Sequence, residues 1–291
     1  MTRDSTLPRR LLGRHLRQLR KDAKISQAAA AKAMDVGANT LWAWESGLNS
    51  QMKIGAVKNL CEMYGADAKI TEILLDLTEQ ARQPNWWNIY ADAIPDDFQV
   101  YVGLEQSARC LYSYQDRLLP GMVQTSAYRR AIIPANYPDL PADEVERRLE
   151  LAAKRQARLD EPETFTMHAL LDESALRRRV GEPGVMVEQL KHLVAVSKRP
   201  NVTIRVVPLT AGSHEGLVTG PFVLLEFPPQ TPSWMSEPPL VYVETFTSDL
   251  YLGNEDQVRR YRDAYAVITR AALSEAKSRA LILEIVKEID Q

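Results

Sequence analysis

The chain has 291 residues, of which 45% are hydrophobic and 25% are charged, and its formal net charge is −2. This length exceeds that of one typical domain and predicts two domains. No apolar run approaches the roughly 18 residues that a membrane-spanning helix needs, which excludes such a helix. Arg9 and Arg10 are followed by only two leucines before Gly13, so we expect no signal peptide and a cytoplasmic protein.

The charges are distributed unevenly along the chain. Residues 1–60 hold 11 Lys and Arg residues against four acidic ones, which gives +7 there and leaves −9 for the remainder. This asymmetry predicts a basic domain that contacts DNA, attached to an acidic one. The two cysteines, Cys61 and Cys110, each lie in an apolar context and are predicted to be reduced core residues.

The first predicted helix, residues 9–23, is amphipathic. Leu12, Leu16 and Leu19 recur at spacings of four and three residues and form one apolar stripe. The arginines of this helix lie mostly on its other faces. We therefore expect the stripe to pack under the segment that follows.

Residues 26–47, SQAAAAKAMDVGANTLWAWESG, predict two short helices joined by a tight turn. Ser26 is a good N-cap, and the Ala-rich stretch after it has strong helix propensity and small side chains that permit close packing. Gly37 caps a second helix, in which Leu41 and Trp44 share one face, and Gly47 ends it. This is the pattern of a helix-turn-helix.

The same stretch resembles the Xre and phage-repressor family of DNA-binding helix-turn-helix domains. The residues that carry the resemblance are Ser26, Gln27, Ala31, Val36, Thr40, Leu41, Glu45 and Gly47. An ordinary αα-hairpin is the alternative, and it is disfavoured because the match extends into the flanking helices. Amphipathic helices at 53–64 and 68–80 follow, so the resemblance implies a five-helix domain over residues 1–82.

The resemblance implies that the exposed face of the second motif helix enters the major groove. Asn39 is the best base reader because its amide bonds adenine on two edges, and Thr40 serves a phosphate or a base. By the family pattern, Arg20 either touches a phosphate or pairs with Glu45 inside the domain. The predicted DNA-binding residues are Gln27, Ala38, Asn39, Thr40, Trp42, Ala43, Arg17, Arg20, Asn49 and Lys53.

The second motif helix, which we call the reading helix, departs from the family pattern at three positions. Ala38, Trp42 and Ala43 stand where relatives often carry Gln, Arg or Ser, so the hydrogen-bonding capacity of this face is low. Trp42 either contacts sugar and thymine methyl groups or packs within the protein, and the sequence favours neither. Phosphate contacts and DNA shape then carry a larger share of the recognition.

A junction is predicted at residues 83–96, where Pro84 stops the preceding helix and Trp86-Trp87 follow. We expect the two tryptophans to join the domains, with ligand stacking as the less favoured alternative. From residue 97 onward, the hydrophobic pattern contains both helical and strand periodicities. Predicted helices lie at 98–112, 125–133, 141–159, 184–197, 256–272 and 274–289, and predicted strands at 164–171, 202–208, 222–227, 240–246 and 250–252.

The second part also has a family resemblance. The stretches LPGMVQTSAYRRA, KRQARL, LLDESALRRRVG, NVTIRVVP, GSHEG and VYVET, in this order, resemble the large C-terminal domain of actinobacterial Xre-type regulators, among them WhiJ-like and antitoxin-like proteins. The resemblance covers about residues 97–285. It implies a transcription regulator that is often encoded beside a small partner protein.

No enzyme, metal site or cofactor is expected. The four histidines are scattered without the spacing of a metal-binding helix, and no Gly-x-Ser-x-Gly motif is present. Six polar residues within apolar elements are candidates for a pocket that takes a small molecule or a partner segment, although each is individually more typical of a structural residue. They are Glu105, Arg155, Gln156, Glu173, His214 and Glu244.

The sequence thus predicts a mainly α protein with a smaller β part. A five-helix repressor-like domain precedes an α+β domain at 97–291 that senses a ligand, binds a partner or dimerises. The predicted function is sequence-specific transcription regulation by a homodimer on double-stranded DNA, with no membrane partner. The alternative is an antitoxin-like protein whose main role is to bind a small partner protein, with DNA binding for autoregulation.

Overall fold

The computed structural model describes residues 7–47, 52–83, 85–231, 233, 236–246 and 248–290. This part of the chain forms 13 α-helices and one six-stranded sheet, so the predicted mainly α fold with a smaller β part is confirmed. It divides into a first unit, Met1–Ser107 with Pro228–Glu237, and a second unit, Ala108–Phe227 with Pro238–Gln291. Residues 83–107, which the sequence placed in the junction and at the start of the second domain, belong to the first unit.

The first unit is helical in its described residues. Its α-helices are α1 (Leu7–Asp22), α2 (Gln27–Ala33), α3 (Ala38–Glu45), α4 (Ile54–Tyr64), α5 (Ala68–Arg82) and α6 (Asp96–Ser107), with a short 3-10 helix at Trp86–Tyr90. The first five match the five helices predicted from the sequence. Side-chain caps explain two of their starts, since Ser26 accepts a hydrogen bond from the Ala29 amide and Asp67 from the Ile70 amide.

The core of the first unit is built from the apolar faces of α1 to α5. Leu12, Leu16, Leu41, Val57 and Leu60 are fully or almost fully buried within it. Cys61 is also buried there, and Cys110 is buried in the second unit, both as free thiols as expected. The predicted leucine stripe of α1 therefore packs against the helix-turn-helix.

The second unit surrounds a mixed sheet with helices. Its α-helices are α7 (Ser126–Asn136), α8 (Ala142–Gln156), α9 (Glu173–Arg177), α10 (Pro183–Val196), α11 (Gly216–Thr219), α12 (Glu255–Ala271) and α13 (Glu275–Ile289). Its strands are β1 (Cys110–Gln115), β2 (Thr166–Asp172), β3 (Val202–Val207), β4 (Phe222–Glu226), β5 (Leu240–Glu244) and β6 (Asp249–Leu252).

The strands lie in the order β3-β2-β1-β4-β5-β6. The first three are parallel, with Cys110 opposite Thr166 and Met167 opposite Val202, and the last three join antiparallel. Helix α12 covers one face of this sheet and buries Ile268 against it. The Arg205 guanidinium on β3 donates to the carbonyls of Thr269, Ala272 and Leu273, which satisfies the C-terminal end of α12.

One predicted element is wrong. The sequence predicted a helix over residues 98–112, but the helix ends at Ser107 and Cys110 already begins β1. The apolar positions between Phe98 and Tyr114 fit a helix and a strand equally well, so the hydrophobic pattern does not mark the change from helix to strand. In the part of the chain that the structure describes, no helix combines the length and apolarity needed to cross a bilayer.

Candidate nucleic-acid interface

Helices α2 and α3 form the helix-turn-helix. Ala30 and Ala31 are buried at their crossing, where a larger side chain would separate the helices. The turn contains Asp35 at a φ of 52°, a left-handed conformation that Asp tolerates better than most residues. Gly37 then caps α3, with its carbonyl accepting from the amides of Thr40 and Leu41.

Two glycines let α1 approach α3 closely. A Cβ on Gly13 would overlap the Trp44 carbonyl oxygen and lie 2.9 Å from that of Glu45. Gly47, which ends α3, has a φ of 71°, and a Cβ there would lie 2.7 Å from the Arg10 Cα. Both positions require glycine, so α1 runs directly beside the C-terminal end of α3.

Helix α3 presents one face to the core and the other to solvent. Leu41 and Trp44 are buried, whereas Ala38 and Asn39 are exposed and Thr40 and Ala43 are partly exposed. Trp42 keeps 54% of its surface accessible, which is unusual for so large an apolar side chain. The predicted reading face is therefore the open face of α3.

Arg20 and Glu45 form a buried ion pair between α1 and α3. The Arg20 Nε lies 2.5 Å from Glu45 Oε1 and its Nη2 lies 2.8 Å from Oε2, while Nη1 donates to the Ile25 carbonyl at 2.9 Å. The hydrogen bond with Glu45 raises the pKa of Arg20, against the opposite effect of burial. Of the two roles predicted for Arg20, pairing with Glu45 is present.

Other predicted DNA contacts surround a shallow pocket at the edge of this motif. Arg17 of α1, Gln27 at the start of α2 and Trp42 of α3 line it, together with Arg20, Glu45 and Ser46. Lys53 is exposed immediately before α4. Asn49, the remaining predicted backbone contact, lies outside the described residues.

A further ionic contact on α1 was not predicted. Arg10 Nε lies 2.9 Å from Glu237 Oε1, Arg14 Nη1 lies 2.7 Å from Oε2, and Arg14 Nη2 donates to the Ser236 carbonyl at 2.6 Å. These residues are more than 220 positions apart in the chain. No local sequence pattern could have paired them.

Comparison with known families gives two matches. Residues 98–284, well over half of the chain, match a family described as "Domain of unknown function (DUF5753)". The chain belongs to the DUF5753 family. Residues 11–72 match a family described as "Helix-turn-helix domain", a stretch that begins within α1, ends within α5 and supports a DNA-binding helix-turn-helix regulator. No curated protein and no solved structure matches the chain.

Two of the six pocket candidates, Glu173 and His214, lie at the carboxyl ends of the parallel strands in the DUF5753 domain. His214 Nε2 is 3.7 Å from Asp172 Oδ2, and its Nδ1 accepts from the Gly216 amide at 3.2 Å. Glu173 accepts from the Leu209 amide and from Arg177. A Cβ on Gly216 would overlap the Tyr114 ring, so the backbone at residue 216 passes directly against Tyr114.

Two other candidates lie around Gly121 of the DUF5753 domain. Gln156 donates to the carbonyls of Gly121 and Gln124, and the buried Arg155 guanidinium lies beside Gly121. The fifth candidate, Glu244, is solvent-exposed at the end of β5. Glu105, the sixth, is buried in α6 of the first unit. The six candidates thus fall into separate groups.

Proposed function

We propose that this protein is a sequence-specific transcription regulator whose α3 enters the major groove of DNA. The observation that carries the proposal is the orientation of α3, which buries Leu41 and Trp44 and leaves Asn39 exposed. Arg17, Gln27 and Lys53 flank this face with polar and basic groups suited to phosphates. Asn39 supplies the base contact, and Trp42 adds apolar contact with sugars or thymine methyl groups.

We propose that the regulator acts as a homodimer. One short reading helix with a single strong hydrogen-bonding side chain offers few base contacts, whereas two copies double them. Two-fold pairing would place the reading helices about 34 Å apart, on half-sites one helical turn from each other. The mass of the full-length chain by light scattering, with and without DNA, tests this step.

The DUF5753 domain is proposed to bind a ligand or a small partner protein that changes DNA affinity. Support comes from the polar residues at the carboxyl ends of its parallel strands, the edge at which open α/β sheets bind ligands. Asp172, Glu173 and His214 meet there. We propose no enzymatic activity for this domain.

The test is fluorescence anisotropy of the full-length protein on DNA from upstream of its own gene, with unrelated DNA as control and salt varied. We expect binding to its own upstream DNA to survive salt better than binding to the control. Asn39→Ala should remove about 1–3 kcal/mol of this preference. Asn59→Ala, on the exposed surface of α4, is the matched control and should leave it unchanged.

Equal and salt-labile binding to both DNAs contradicts the proposal. That result favours the antitoxin-like alternative, in which binding of a small partner protein is the main role. A preference that Asn39→Ala leaves intact would move base reading away from α3 and so contradict the assignment of this face.

A further inference from the structure

Glu237 forms hydrogen-bonded ion pairs with two arginines of α1, Arg10 and Arg14. Glu237 keeps only 2% of its side-chain surface accessible, and each of its carboxylate oxygens accepts from a different guanidinium. The Arg14 guanidinium also donates to the Ser236 carbonyl, and the Ser236 hydroxyl accepts from the Gln230 amide. Ser236 and Glu237, which belong to the first unit, are thus held on α1 by charge-assisted hydrogen bonds.

The two arginines lie on the same side of α1 as a predicted DNA contact. Arg10, Arg14 and Arg17 follow one another at spacings of four and three residues, which places them along one face of the helix. At one end, Arg10 lies against Gly47, where α3 ends. At the other end, Arg17 shares a pocket with Gln27 and Trp42. This row of arginines therefore borders the proposed DNA-binding face.

A carboxylate and a phosphate compete for the same guanidinium. Both present oxygens that accept charge-assisted hydrogen bonds, and an arginine side chain that is bound to one is unavailable to the other. Arg17, by contrast, is exposed. With Glu237 in place, two of the three arginines of the row are occupied.

We propose that Glu237 is an autoinhibitory anion that occupies the phosphate-binding groups of Arg10 and Arg14. Its release adds two phosphate contacts to the proposed DNA interface and strengthens DNA binding. The segment that carries Glu237 is continuous in the chain with β4 and β5, so a change in those strands is a route to its release. This inference rests on the proposed function, whose DNA-binding face it regulates.

The test is Glu237→Gln in the full-length protein, measured by anisotropy on its own upstream DNA between 50 and 200 mM salt. Each phosphate contact contributes about −0.9 to the slope of log K against log salt, so two contacts should steepen the slope by about 1.8. The affinity gained between 200 and 50 mM salt should then exceed that of the unmodified protein by about tenfold. Glu163→Gln, an exposed residue with the same charge change, is the control and should leave the slope unchanged.

The double substitution Arg10→Gln/Arg14→Gln separates release from a general charge effect. In the Glu237→Gln background it should abolish the gain, because the freed guanidiniums are gone. In the unmodified background it should leave the slope unchanged, because Glu237 already occupies both groups. This second arm tests the proposal even where Glu237→Gln does not fold.

The outcomes distinguish this inference from the proposed function. If the unmodified protein binds its upstream DNA and Glu237→Gln leaves its slope unchanged, the inference alone fails. A gain that persists without Arg10 and Arg14, or a slope that falls when both are removed from the unmodified protein, also overturns it. If neither the unmodified protein nor Glu237→Gln binds DNA at 50 mM salt, both fail. DNA binding that appears only in Glu237→Gln supports complete autoinhibition.

Discussion

Arg20 and Glu45 join α1 to α3 by two parallel hydrogen bonds of 2.8 and 2.5 Å across a buried contact. A planar guanidinium facing a planar carboxylate permits little rotation, so the pair fixes the end of α3 relative to α1. Because both groups are desolvated, the pair adds little to the net free energy of folding. Removing one partner is nevertheless strongly destabilising, because the other charge is then buried alone. The orientation of the reading face thus depends on this pair.

We predict that Glu45→Gln lowers the free energy of unfolding by about 3–5 kcal/mol, because it leaves Arg20 charged and buried without a counter-charge. Urea unfolding of the full-length chain, followed by tryptophan fluorescence, measures this change. The control is Glu146→Gln, which breaks the exposed pair with Arg130 and should cost less than about 1 kcal/mol. A loss at Glu45 no larger than that at Glu146 would contradict the prediction.

We predict that Gly13→Ala destabilises the first unit, although alanine is the better helix former. The added methyl would overlap the Trp44 carbonyl and force α1 away from α3 at a cost of about 1–3 kcal/mol. Gly55→Ala is the matched control, since it is also helical, in α4, and nothing lies within 4 Å of its Cβ position. Thermal unfolding should show a lower midpoint for Gly13→Ala and an equal or higher one for Gly55→Ala.

Local signals in the sequence were enough to predict the first five helices. The capping residue Ser26, the small Ala30 and Ala31, and the spacing of Leu41 and Trp44 each depend on neighbours within a few residues. The open face of α3 followed from the same spacing. Because these features are local, the amino-acid sequence alone is enough to recognise the helix-turn-helix.

Features that depend on distant residues could not be predicted. Cys110 begins β1 because it pairs with Thr166 on β2, and the apolar run that contains it fits a helix equally well. Glu237 lies in a loop with no pattern of its own, and only the folded chain brings it to Arg10 and Arg14. Nothing in the amino-acid sequence alone therefore indicated that Glu237 accepts hydrogen bonds from Arg10 and Arg14.

We predict that Lys53→Gln weakens binding to all DNA sequences by a similar factor. Lys53 is exposed before α4, and a phosphate contact made by its ammonium group carries no sequence information. Loss of one phosphate contact should reduce the magnitude of the salt slope by about 0.9 while preserving discrimination between related DNAs. Lys58→Gln, exposed within α4, is the control. A change in discrimination, or equal slopes for Lys53→Gln and Lys58→Gln, would remove Lys53 from the interface.

His168 gives the second unit a stability that depends on pH. Burial lowers the pKa of His168, and the carboxylates of Glu275 and Glu226 oppose this effect only partly. Below the unfolded-state pKa of about 6.5, the unfolded chain binds a proton that the folded chain binds less readily. The stabilising contribution is therefore present above about pH 6.5 and is lost as the pH falls through this region. His192, whose pKa is also lowered by burial, acts in the same direction.

We predict that His168→Phe flattens the fall in unfolding free energy between about pH 7 and pH 5. Phenylalanine preserves a ring over Tyr112, which stacks on His168 at 5.0 Å with a 16° interplanar angle, and the Tyr265 hydroxyl still donates to the backbone carbonyl of residue 168. One full proton would contribute about 1.4 kcal/mol per pH unit, so the measured flattening should be a fraction of this value. Thr203→Val, at the register partner of His168, removes no titrating group and should keep the original slope. Urea unfolding at several pH values gives both slopes, and equal slopes for His168→Phe and the unmodified protein would show that His168 takes up its proton equally well when folded.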